Sequence, residues 1–384
     1  MSQPDPRDPP RGVQIARVAG MPIRIQGSWI FIFALVLWSL SATYLPSRFP
    51  EIGRTTAWIA GLFATLGFFA SLLVHELSHS LVAQRYGIGV SGITLFLFGG
   101  VSRIEQEPSD PRVELRVAAV GPLTSFALSG LFWLAAAAAR GGASPVTVAV
   151  LEYLAYINAA LGLFNLIPGL PLDGGRILRA AVWWRTGSLP KATQLASHLG
   201  KGFALGLMVL GALEIVSGAL VGGLWLVFIG LFLRATASAG WEELVLRRAL
   251  EGVKVEDVMI RAPITVSPDL TLRALIDECL LREGVRGFPV CEGDKVLGAI
   301  SLDELRTVPR EQLETKRVRD AMVPLSQDLR SDARDSLLSA LRQMARGHRA
   351  QLLVMSGDRL EGIVTRGAVR RMLEVRRLVA VADA

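Results

Sequence analysis

Three residues in the stretch SLLVHELSHSLVAQRYG, residues 71–87, are of types that do chemistry together: His75, Glu76 and His79. Positions four apart on a helix share a face, so the two imidazoles can be offered to one ion with the Glu76 carboxylate close by. Zinc held by three protein ligands, with one position open, brings the pKa of its water to about 7. A neighbouring carboxylate can then take a proton from that water for attack on a peptide carbonyl. The chain has only four histidines, and these two end a run apolar enough to cross a membrane. Ionisable groups are costly in lipid, so this placement favours function over packing.

A catalytic zinc needs a third protein ligand. His348 belongs to the polar C-terminal part and His198 flanks an apolar run, while Glu152 and Glu214 fall in the outer halves of their spans. Asp173 is the best placed, within NLIPGLPLDGGRIL, residues 165–178. Two prolines and three glycines break the helix there, and irregular backbone at that depth is tolerated only against protein or a water-filled cavity.

The elements that must position these groups are membrane helices. Half of the 384 residues, 51%, are hydrophobic, and they are concentrated between residues 28 and 240. Taking about 20 residues as the length needed to cross hydrocarbon, six spans are expected, near 28–45, 56–78, 117–139, 146–166, 200–217 and 219–237. The first apolar run is longer than the usual core of a signal peptide and reads as an uncleaved helix. With six helices, the N-terminal tail, second loop and fourth loop share one side and hold four, four and five Lys or Arg residues. The opposite loops hold three: Arg48, Arg54 and Arg140. Positive charge marks the cytoplasmic side, so both termini are expected to be cytoplasmic, in a multi-pass protein of the cell membrane. The net charge of +7 is spread over loops with no dense basic stripe, which argues for anionic lipid and against nucleic acid as a partner. Two cysteines, Cys279 and Cys291, are too few for a disulfide framework.

The pairing of His75-Glu76-x-x-His79 with Asn165-x-x-Pro168-x-x-Pro171-Leu172-Asp173-Gly174-Gly175 resembles the site-2 protease family of intramembrane zinc metalloproteases. The resemblance covers roughly residues 15–240. It implies a metalloendopeptidase that cleaves membrane-embedded segments of other proteins, with one zinc per subunit held by His75, His79 and Asp173 and with Glu76 as general base. Asn165 would orient substrate or stabilise the oxyanion. ITLFLFGGVSRIE, residues 93–105, resembles the family's membrane-associated β-loop, turning at Gly99 and Gly100, whose exposed strand edge could pair with unwound substrate. AAVGPLTSFAL, residues 118–128, resembles the family's third helix, with Ser125 where an asparagine is expected.

The C-terminal part carries an internal repeat. VEDVM at 255–259 returns as VRDAM at 318–322, and GFPV (287–290) and GAIS (298–301) align with QLLV (351–354) and GIVT (362–365). Short β-rich runs alternate with amphipathic helices in each unit. This resembles a tandem pair of CBS domains, here 253–308 and 316–376, joined to the membrane domain (28–240) by a linker at 241–252. The resemblance implies adenine nucleotide (ATP or AMP) between the two domains and a possible homodimer through them. The family places an acidic residue three after the Ser or Thr that contacts ribose. Ser301 has Glu304 there, whereas Thr365 has Ala368, so one nucleotide half-site is kept and a purely structural pair stands beside a sensor. The expected fold is therefore a multi-pass α-helical membrane protein of six helices with a β-loop, behind a polar tail (1–27), plus a soluble α/β tandem CBS domain. The alternative, a CBS-regulated ion transporter, would place acidic or hydroxyl residues at the midplane of several helices. That pattern is absent from the sequence.

Overall fold

The computed structural model describes residues 12–104, 108–280, 287–347 and 349–382. The chain divides near Leu244 into a membrane unit and a C-terminal unit. Six helices of the first are long and apolar enough to cross a membrane. They are α1 (Gly27–Arg48), α2 (Arg54–Arg85), α3 (Pro111–Ala139), α4 (Pro145–Asn165), α6 (Leu189–Val216) and α7 (Leu220–Ala249), and a shorter α5 (Asp173–Thr186) lies between α4 and α6. Each expected span coincides with one of these helices, overrunning it by one residue at most.

Local sequence sets the helix ends. Asp110 caps α3, accepting from the Arg112 N–H at 2.7 Å, with Pro111 in the first turn where a missing N–H costs nothing. Ser144 caps α4 in the same way, followed by Pro145. α5 stops at Gly187, whose φ of 68° suits a residue without Cβ.

The packing is that expected in lipid. α3 is the hub, lying against α2, α4 and α5. The faces turned inward carry small residues, among them Gly61, Ala64, Ala83, Gly121, Ser125 and Gly162, which allow backbones to approach closely. Leu123, Leu131, Trp133 and Leu163 point outward, where hydrocarbon replaces water as the neighbour.

A four-stranded sheet accompanies the helices. Its order is β1 (Val13–Val18), β2 (Met21–Ile25), β3 (Val90–Phe96), β4 (Gly99–Ile104). The hairpin expected at Gly99-Gly100 is β3–β4, paired from Phe96 with Gly99 to Val90 with Ile104. The sheet is larger than the sequence suggests. Residues 13–25 of the polar tail form a second hairpin, and β2 joins β3 in parallel through Ile23 and Ile93, both fully buried. That tail alternates too weakly to read as strand on its own. β4 is left at one edge.

In the C-terminal unit, the repeat in sequence is a repeat in structure. Hairpins β6 (Gly287–Glu292) with β7 (Lys295–Ser301), and β10 (Gln351–Ser356) with β11 (Arg359–Thr365), each break register once, at Val290/Cys291 and at Val354/Met355. Asp257 and Asp320 accept from the backbone N–H of Lys254 and Arg317 at 2.8 and 2.9 Å, one such cap in each half. The halves also exchange strands. β5 (Ile260–Arg261) of the first pairs with β11 of the second, and β8 (Val323–Pro324) of the second pairs with β7 of the first. Neither half therefore completes its sheet alone.

Candidate metal centre

α2 brings His75 and His79 to one face, as their spacing requires. Both are buried, at 2% and 4% exposure. The helix breaks where the prolines and glycines of residues 165–178 led us to expect, and Asp173 lies beyond that break. The chain leaves α4 at Asn165, turns through the two prolines, and begins a separate helix, α5, whose first residue is Asp173. Asp173 Oδ2 lies 3.2 Å from His75 Nε2 and 3.1 Å from His79 Nε2, and the two Nε2 atoms are 3.2 Å apart.

These three residues fit zinc. The opposite ring nitrogen of His79, Nδ1, donates to the Val117 carbonyl at 2.6 Å, so in the neutral ring Nε2 carries a lone pair. His75 Nδ1 is likewise occupied, by Ser125 Oγ at 2.9 Å. Lone pairs of two imidazoles and a carboxylate then converge with no donor between them, an arrangement that a cation stabilises. Ligands about 2.0–2.1 Å from a tetrahedral zinc lie about 3.3 Å from one another, close to the spacings observed. Two nitrogens and one oxygen also leave a position open, as catalytic rather than structural zinc sites do.

Neighbouring elements hold this geometry. Pro122 lies inside α3 and has no N–H for the Ala118 carbonyl, next to the Val117 carbonyl that His79 uses. Gly121 is obligatory for space, because a Cβ there would lie 2.1 Å from His79 Nε2 and 2.8 Å from His75 Cε1. Glu114, 1% exposed, forms an ion pair with Arg179, whose Nε donates to Oε1 at 2.7 Å, fastening α3 to α5 six residues beyond Asp173. The turn before Asp173 is docked by Leu170 N–H donating to Ala196 O of α6 at 3.0 Å.

Glu76 faces the β-hairpin. Ser102 Oγ of β4 lies 3.0 Å from Glu76 Oε2, and a Cβ on Gly100 would come 2.5 Å from Glu76 Cγ. Gly99 makes the turn with φ of 130°. Asn165 is not brought onto the three ligands: its Nδ2 donates to Leu161 O one turn back in α4. The other acidic and histidine alternatives are engaged elsewhere. His198 is exposed and bonds Gln194 O, and Glu152 is paired with Arg48 and Arg140. Glu214 lies near Gly222 of α7, and His348 is outside the described residues.

Nothing in the sequence marked Ser102, Glu114 or Arg179. Ser125 stood out only as a departure from the family pattern, and its contact with His75 shows what a polar side chain is needed for there.

Comparison with known proteins gives the family. The model of Peptidase family M50 matches residues 63–148 and 136–209, and that of the CBS domain matches 255–311. The zinc metalloprotease Rip3 of Mycobacterium tuberculosis is 37% identical over 95% of this chain and 94% of its own. A zinc metalloprotease of Synechocystis is 33% identical over 94% of this chain and 95% of its own. The chain belongs to peptidase family M50. Among solved structures, the site-2 protease of Methanocaldococcus jannaschii is similar at 28% identity, with a TM-score of 0.43 over 60% of this chain and 95% of that one. This M50 member is thus a multi-pass membrane metalloprotease carrying a CBS region.

At the expected nucleotide half-site, Ser301 and Glu304 are bonded to each other. Glu304 Oε2 accepts from the Ser301 N–H at 2.8 Å and from the Ser301 hydroxyl, capping the short helix Leu302–Leu305. The cavity beside them, also lined by Arg349 and Gln351, is about 10 Å³, room for one water at most. In the other half, Thr365 Oγ1 accepts from the Ala368 N–H at 3.1 Å.

Proposed function

We propose that this metalloprotease is an intramembrane endopeptidase that hydrolyses membrane-embedded segments of other proteins in regulated proteolysis at the cytoplasmic membrane. The observation carrying this reading is the convergence of three buried residues, His75 and His79 from a helix long and apolar enough to cross a membrane and Asp173 from the start of α5, with Glu76 beside them. Zinc, when bound by these three residues, acidifies water and polarises the scissile carbonyl. His75 and His79 supply neutral nitrogens because their Nδ1 atoms are committed to Ser125 and Val117. Asp173 supplies the balancing negative charge. Glu76 takes the proton from the attacking water and passes it to the leaving amine. A substrate helix unwound into extended form would add to the outer edge of β4, where backbone groups have no strand partner among the described residues. Gly99 and Gly100 would leave that edge unobstructed, and Asn165, partly exposed at the end of α4, would contact substrate.

Replacing Glu76 with Gln should abolish cleavage yet keep zinc, because only the proton acceptor is lost. Asp173→Ala should lose cleavage and weaken zinc retention, while His198→Ala and Glu214→Ala should keep both. Metal content and cleavage measured on the purified proteins test the assignment. Full zinc in Asp173→Ala, with zinc lost from either of the other two, would overturn it.

A further inference from the structure

The sequence-level reading accounts for Glu76 but not for what aims it. Glu76 sits on α2, while the side chain nearest its carboxylate comes from the sheet. β4 turns alternate residues toward α2: Gly100, which leaves room for the Glu76 side chain, and Ser102, whose Oγ is 3.0 Å from Glu76 Oε2. Val101 between them points the other way and is 46% exposed. Ser102 Oγ also lies 3.0 Å from Ser80 Oγ and 3.2 Å from the Glu76 carbonyl, and Ser80 Oγ lies 3.1 Å from that carbonyl. A hydroxyl has one proton, and a carboxylate is the strongest acceptor in reach. The consistent assignment is Ser80 donating to Ser102 or to the Glu76 carbonyl, and Ser102 donating to Glu76 Oε2.

We infer that Ser102 is a positioning residue for Glu76, so that the edge strand proposed to receive substrate also sets the orientation of the base. The inference rests on Glu76 being the general base. A carboxylate on a flexible stem that is tied at one oxygen presents the other in a fixed direction, and proton transfer depends steeply on that geometry. The tie reaches across from β4, whose height is set by the pairing of Ser102 with Ile93 of β3, a fully buried residue. A shift of β4 therefore moves the partner of the base, and a strand added to its edge would hold that partner in place.

The test compares kcat and KM of the full-length protein for a labelled single-span polypeptide that the wild type cleaves, with zinc content measured on the same samples. Ser102→Ala should lower kcat by on the order of 10- to 100-fold, with KM changed less than about twofold and zinc intact. Ser102→Thr keeps the hydroxyl on a residue suited to strands and should stay within about threefold of wild type. Ser102→Cys keeps the volume and donates weakly, so it should be slow without opening a cavity. Ser129→Ala loses a different hydrogen bond in the same unit, to Ala155 O, and should cleave normally. Full kcat in Ser102→Ala, or Thr as slow as Ala in folded, zinc-loaded protein, would overturn the inference. Loss of zinc or a rise in KM alone would do the same, by assigning Ser102 to packing or substrate binding. Glu76→Gln run alongside separates the two levels: if it still cleaves, the base assignment itself fails. If it is inactive while Ser102→Ala runs at full speed, only the role of Ser102 fails.

Discussion

Gly121 shows how little space the centre has. An added methyl group would meet both histidine rings, and these cannot retreat, because His79 is tied to Val117 and His75 to Ser125. Gly121→Ala should therefore lose most bound zinc and cleavage activity, whereas Gly130→Ala on the same helix, with nothing within 4 Å, should be neutral in both. Zinc per protein after gel filtration checks the pair. At this scale the sequence was informative where chemistry needs a rare residue at fixed spacing, as with His75, Glu76, His79 and Asp173. It was silent on Ser102 and Glu114, because serine and glutamate are common. Their importance comes from what lies across the interface, and neighbours on β4 and α5 have no fixed offset in sequence.

Among the elements, the turn between α4 and α5 is the most exacting. It lies against α6 so closely that a Cβ on Gly200 would sit 1.9 Å from Leu170 O, a backbone atom with no freedom to move aside. Gly200→Ala should force α6 off the turn and destabilise the protein by about 1–3 kcal/mol. It should also lower cleavage, since Asp173 follows the turn directly. Gly202→Ala, in open space two residues along the helix, should match wild type in thermal unfolding and activity. The spanning helices were legible because length and hydropathy are properties of one segment. α5 was read as part of the fourth loop, since a 14-residue helix with three arginines shows no spanning run. β1 and β2 were missed for a related reason: β1 is exposed along its whole length, so no alternation marks it.

For the whole molecule, the distribution of positive charge gives an orientation that reporter fusions can check. Fusions at the N-terminus and C-terminus should report cytoplasm and one after Arg140 the outside, and a C-terminal fusion active only outside would refute it. The CBS pair was legible as a repeat, but its ligand state was not, because the pattern Ser301-x-x-Glu304 serves ribose binding and helix capping equally well. In the structure it caps. An adenine nucleotide must first draw Glu304 away from Ser301 and enlarge a cavity of about 10 Å³, so binding of ATP or AMP should be weak. Calorimetry on the full-length protein should show that weak binding removed by Glu304→Ala and little changed by substitution of Ala368. Tight binding that survives Glu304→Ala would place the nucleotide elsewhere.

The length of α5 has a further consequence for how the protein is made. Fourteen residues reach only about 21 Å, short of the roughly 30 Å of hydrocarbon, and Arg176, Arg179 and Arg185 resist transfer into it. The insertion machinery must therefore pass α5 over and accept α6 next, which keeps the number of crossings even. A few more leucines in α5, and fewer arginines, would make that number odd. The ribosome would then deliver everything after α5 to the opposite compartment, including the CBS pair, although no residue of the metal centre had changed.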